Sequence, residues 1–277
     1  MTAWILQHRF TLFKYFVYLA LAANVGFFFL EEWLASQQVF QGGLDWLELI
    51  QGFAATIDTA AWVVLLLMFE LETYQLAGHR LTTAVTTTFM VVRGLCYGLI
   101  LYACYGYVLK VFALDGYELV TLAAGCDYAG LGYGMLVAVD EYEALNLANC
   151  SALPALIYLD EATKALAIPA TFDEVVFLAW IDVVNSVSWI LVVIILELDV
   201  WLGLNDRLTK SLEWVTWRSK IVLYAILVIV AGYWGWAADF LDFWDAFLWI
   251  LAFVFIERSV FVWGQESEAG PLQGALR

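Results

Sequence analysis

Long apolar runs constrain this chain more than any other feature. A helix needs about 20 consecutive apolar residues to cross a bilayer, and the sequence offers runs at roughly 14–34, 46–72, 84–110, 174–200, 217–237 and 240–263. Short connections separate them, except for the segment from Phe112 to Phe172. Composition agrees: 64% of residues are hydrophobic and only 14% charged, where a soluble domain is nearer half and a quarter. The first run is flanked by Arg9 and Lys14, and no small-residue cleavage pattern precedes Glu31 and Glu32. It therefore reads as a retained first helix.

Orientation follows from the basic residues, which favour the cytoplasmic side of a membrane. Arg9, Lys14, Arg80, Arg93, Arg207, Lys210, Arg218, Lys220, Arg258 and Arg277 fall on one side, and only Lys110 and Lys164 on the other. Both termini are then cytoplasmic, in a cell (inner) membrane crossed several times. The segment after Phe112 faces the periplasm or exterior, where an oxidising environment predicts a disulfide between Cys126 and Cys150. Within it, Ile157 to Ile168 has the pattern of two short strands around a polar turn. The fold class expected is an all-α integral membrane protein. Its six transmembrane helices form three tandem helical hairpins, with a small disulfide-bonded external insertion between helices 3 and 4. The corresponding boundaries are 1–111 for helices 1–3, 112–172 for the external domain, 173–264 for helices 4–6, and 265–277 for a cytoplasmic tail.

Several function classes are disfavoured. A net charge of −16 argues against nucleic acid as a partner and against a polybasic lipid-binding tail. His8 and His79 both lie beside arginines, which disfavours haem ligation or a multi-His metal centre. No phosphate-binding glycine loop, zincin helix or G-x-S-x-G elbow is present, and Gly130-Leu-Gly-Tyr-Gly134 falls short of a dinucleotide fingerprint. No cofactor and no catalytic residue is expected. The partners expected are the lipid bilayer and either other membrane subunits or further copies of this chain.

An internal pattern is the most informative motif. Asp58-x3-Trp62-x7-Glu70, Asn185-x3-Trp189-x7-Glu197 and Asp245-x3-Trp249-x7-Glu257 recur in the even helices. The odd helices carry Lys14-x3-Tyr18, Arg93-x3-Tyr97 and Lys220-x3-Tyr224, and Arg80-Leu-Thr82 reappears as Arg207-Leu-Thr209. Each hairpin thus pairs a base going out with an acid returning. Because unpaired charge in a membrane is costly, the expected contacts are Lys14–Glu70, Arg93–Glu197 and Lys220–Glu257. They serve either as interhelical salt bridges or as a cytoplasmic gate. Glu72 and Asp199 read as solvated helix ends.

Twelve residues before each glutamate, about 18 Å deeper at 1.5 Å per residue, stand Asp58, Asn185 and Asp245. Asp182 and Asp242 lie three residues earlier on the same helix faces, and Asn24 stands at comparable depth, with Lys110 the one base nearby. Intramembrane carboxylates of this kind line cavities or ion paths. Asp58, Asp182, Asn185, Asp242, Asp245 and Asn24 therefore form the candidate ion site, suited to protons or hard metal cations. Two readings follow: a small channel or secondary transporter, or a non-catalytic accessory subunit of a larger membrane complex.

Overall fold

The computed structural model describes residues 2–41, 46–72, 82–122, 125–204, 209–237 and 239–253. It is mostly helical, at 77%, with a five-stranded sheet and a disulfide. Backbone contacts divide the chain into two compact units, one of Met1–Asn24 with Val228–Arg277 and one of Val25–Leu227. The helices are α1 (Thr2–Val39), α2 (Trp46–Gly52), α3 (Ala54–Glu70), α4 (Thr83–Ala113), α5 (Pro169–Leu204) and α6 (Lys210–Trp236). A further helix, α7, covers 240–253.

Four segments are long and apolar enough to cross a membrane: Thr11–Val39, Thr83–Gly116, Pro169–Gly203 and Lys210–Trp236. They are consistent with a multi-pass membrane protein. Within the run expected to span at 46–72 the chain forms two helices broken at Phe53, and α3 has 17 residues. Of the run at 240–263, the described part ends at 253.

The break at Phe53 has a visible device. The first amides of α3 lack intrahelical acceptors, as at any helix start. The Glu32 carboxylate of α1 accepts from them, at 2.8 Å from Ala55 N and 3.0 Å from Thr56 N. An anion there also favours the positive end of the helix dipole. Elsewhere threonine supplies the cap. Thr82 Oγ1 accepts from Val85 N at the start of α4, and Thr209 Oγ1 accepts from Leu212 N at the start of α6. The recurring Arg-Leu-Thr is thus, at its threonines, a helix start signal.

Close helix approach is specified by Gly106 on α4. A Cβ there would lie 2.7 Å from the Ile50 carbonyl oxygen of α2, so only glycine lets the two backbones meet.

The segment between α4 and α5 is a folded cap with five strands where two were expected. Its strands are β1 (Glu118–Thr121), β2 (Gly134–Ala138), β3 (Glu141–Ala144), β4 (Leu156–Asp160) and β5 (Ala165–Ala167), in the order β1-β4-β5-β2-β3. The expected strand pair is β4–β5, antiparallel with Leu159 opposite Leu166. Its turn is held by Asp160, whose Oδ1 accepts from Ala162 N and Oδ2 from Thr163 Oγ1. Of the remaining strands, β3 is too short and too polar to announce itself, as Glu-Tyr-Glu-Ala.

Strand alternation gives this sheet two faces. Ile157 and Leu159 join Leu122, Leu145, Leu166 and Cys150 in one core, closed by the Cys126–Cys150 disulfide. Tyr158 faces the opposite way and stacks on Phe172 at 4.1 Å between ring centroids, in a cluster with Leu136 and Val175. That second cluster seats the cap on the first turns of α5.

Candidate functional site

Asn24 on α1 is 1% exposed, and its Nδ2 donates to Asp245 Oδ1 of α7 at 2.7 Å. A buried carboxamide is retained only where it is hydrogen-bonded, and here its donor is spent on a carboxylate. Asp239 sets the start of α7: its Oδ1 accepts from Asp242 N, as an N-cap side chain does. Asp245 then falls on the second turn, with Trp249 one turn further as its second side-chain donor. Among the described residues no Lys or Arg forms a salt bridge with Asp245. The pair provides one oxygen-based acceptor held by neutral donors, an arrangement able to take up a proton.

The six candidate residues are distributed over both units. Asn24, Asp242 and Asp245 belong to the first, and Asp58, Asp182 and Asn185 to the second. Of these, Asn24 and Asp245 are brought into direct contact. In the second unit the recurring tryptophans meet, Trp62 and Trp189 lying 6.5 Å apart between centroids. Asp58 and Asn185 each stand one turn before those rings. The Asn185 Oδ1 atom is buried with no hydrogen-bond partner among the described residues.

Of the expected base–acid pairs, the one drawn for Arg93 is replaced by another. Arg93 bonds Glu72 at 2.7 Å, not Glu197, and Lys220 bonds Asp199 at 3.0 Å. Glu72 and Asp199 are therefore ion-pair partners rather than solvated ends. The reason is packing: α4 lies most extensively against α3, so its base meets the acid of the preceding helix rather than of the following one. Glu197 is instead an acceptor for Tyr97 Oη at 2.7 Å, which joins the tyrosine of one motif to the glutamate of the other. Glu257, the partner expected for Lys220, lies outside the described residues. Lys14 is buried with its ammonium 5.0 Å from the Tyr15 ring centroid, and Glu70 is buried at the end of α3. These last two belong to different units.

Lys110 also departs from its expected place beside the aspartates. Its Nζ bonds Glu32 Oε1 at 3.1 Å and Asp140 Oδ2 at 2.6 Å. With the two amides of α3 on the same Glu32 carboxylate, one buried ion cluster fastens α1, α3, α4 and the β2–β3 turn of the cap. Glu32 is the residue that sequence reasoning passed over. Its signal was an acid within the apolar segment Thr11–Val39, which must find a partner in lipid.

Among the described residues, no group of three or more His, Cys, Asp or Glu is placed to hold a metal ion. No family model matches the chain, and no curated protein or solved structure matches it either.

Proposed function

We propose that this chain is a cell-membrane protein of six transmembrane helices in three repeated hairpins, with cytoplasmic termini. We infer that it moves protons or metal cations by way of intramembrane Asp and Asn. The observation that carries the reading is the Asn24–Asp245 contact, a carboxylate without a basic partner among the described residues, on a helix inside a long apolar run. Such groups in a membrane are costly and tend to serve an ion path. Since the Asn24 amide already points an N–H at Oδ1, a proton fits this acceptor better than a bulky cation does.

A twofold recurrence along the chain accompanies this reading, although its ion pairs join successive hairpins rather than the two helices of one hairpin. The ion pairs Arg93–Glu72 and Lys220–Asp199, and the caps Thr82 and Thr209, recur at one constant interval, from 72 to 199, 82 to 209 and 93 to 220. The test is flux into liposomes carrying the purified chain. Wild type should pass protons or a metal cation in a pH-dependent way, and Asp245→Asn should abolish that flux without loss of fold. Wild-type liposomes as tight as empty ones would refute transport. A reporter after Arg277 should be cytoplasmic, and one near Leu147 external.

The accessory-subunit reading rests on a different observation: Leu131 and Leu147 of the cap are 58% and 82% exposed. Co-purification of a stoichiometric companion, together with absent flux, would favour it.

A further inference from the structure

The outer ends of α4 and α5 frame a groove of about 430 Å³ whose walls include Phe112, Tyr117, Phe172 and Trp180, with Asp115 and Asp173 at its rim. Two features set it apart from an ordinary belt of interfacial aromatics. Asp115 and Asp173, one from each wall, are both exposed and form no ion pair among the described residues. The rings also form one wall: Tyr117 and Phe172 lie 5.1 Å apart between centroids, while Phe112 and Trp180 remain open to the outside at 59% and 48% exposure. Aromatic faces attract ammonium groups, most strongly where water is excluded, and two carboxylates add a field of the same sense.

The position selects the ligand further. One wall ends the span Thr83–Gly116 and the other begins the span Pro169–Gly203, so the groove opens where a bilayer presents its headgroups. From Asp173 to Trp180 the helix descends roughly 10 Å at 1.5 Å per residue. The charged rim therefore lies outermost, and the apolar wall runs toward the hydrocarbon. An amphiphile with a cationic head and an apolar tail matches that gradient, whereas a bare metal ion would leave the aromatic wall unused. We propose that this groove binds a phospholipid with an ammonium headgroup. Its nitrogen lies between the Asp115 and Asp173 carboxylates and beside the Tyr117 ring, which the buried Phe172 backs, and its chains run past Phe112 and Trp180. The proposal is independent of whether the chain transports ions.

The test is native mass spectrometry of the full chain. The protein is incubated with equal amounts of phosphatidylethanolamine, phosphatidylcholine and phosphatidylglycerol. Wild type should retain the two ammonium lipids over phosphatidylglycerol, and the double variant Asp115→Asn/Asp173→Asn should retain all three alike. Trp180→Ala should lower the retained amount of the ammonium lipids. Because both aspartates are exposed, the double variant should keep its thermal midpoint and its Cys126–Cys150 bridge. If it does not, Asp173→Asn alone serves for the comparison. Equal retention of phosphatidylglycerol by wild type would overturn the proposal, as would a preference that survives both substitutions. Displacement of the lipid by free choline at comparable concentration would overturn the lipid assignment, since it would show that the acyl chains contribute nothing.

Discussion

Replacing Lys110 with Met is the sharpest perturbation of the fold. The lysine side chain is 11% exposed and stands between Glu32 at 1% and Asp140 at 24%. Removing the ammonium strands a carboxylate that cannot reach water. Breaking a buried pair in this way costs about 3–5 kcal/mol. The Ala55 and Thr56 amides still solvate Glu32, which keeps the cost at the lower end of that range. A net loss of about 3 kcal/mol follows for Lys110→Met. Adding Glu32→Gln removes the stranded charge and should restore most of the loss, so the double variant is more stable than Lys110→Met alone. Denaturant unfolding in detergent, followed by far-UV circular dichroism, measures both. A Lys110→Met cost below about 1 kcal/mol, the range of an exposed pair, would refute the buried cluster. So would a double variant less stable than the single one.

Arg93 and Glu72 are 40% and 31% exposed, so a double-mutant cycle with Gln at both should give a coupling of at most ~1 kcal/mol. Arg93 with Glu197 should be additive, and Tyr97→Phe should couple to Glu197→Gln. Gly106→Ala drives a methyl against the Ile50 carbonyl and should destabilise by about 1–3 kcal/mol, the range for overpacking, read as a lowered thermal midpoint. Serine at Cys126 and Cys150 opens a loop with a sequence separation of 24, which should cost roughly 3 kcal/mol. In wild type, unreduced peptide mapping should recover the two cysteines linked.

Legibility in the sequence tracked the range of the physics involved. Apolar length is a local property, and Thr11–Val39, Thr83–Gly116, Pro169–Gly203 and Lys210–Trp236 were all visible as runs. The Cys126–Cys150 bridge followed from the external side that the basic residues led one to expect for the loop. What failed was partner choice between helices. Arg93 has acids of similar kind on both neighbouring helices, and only the packing of α4 against α3 decides for Glu72. Glu32 was missed because its role depends on Lys110 and Asp140, far away in the chain, and on a helix break at Phe53 that no proline announces. The cap was underestimated for the same reason: β2 and β5 pair in parallel, a contact with no short-range turn to mark it. For the candidate ion site, spacing alone located Asp245 and Asn24 at one depth, and the 2.7 Å contact between them depends on tertiary structure.

On the proposed reading, Asp245 takes up and releases a proton inside the membrane. Infrared difference spectra of the reconstituted chain, recorded while the outer pH is stepped, read this through the carbonyl stretch of a protonated carboxylic acid. A band should appear as pH falls, shift when Asn24→Ala removes its donor, persist in Asp239→Asn and be absent from Asp245→Asn. An unchanged band in Asp245→Asn, or none in wild type across the stable pH range, would contradict it.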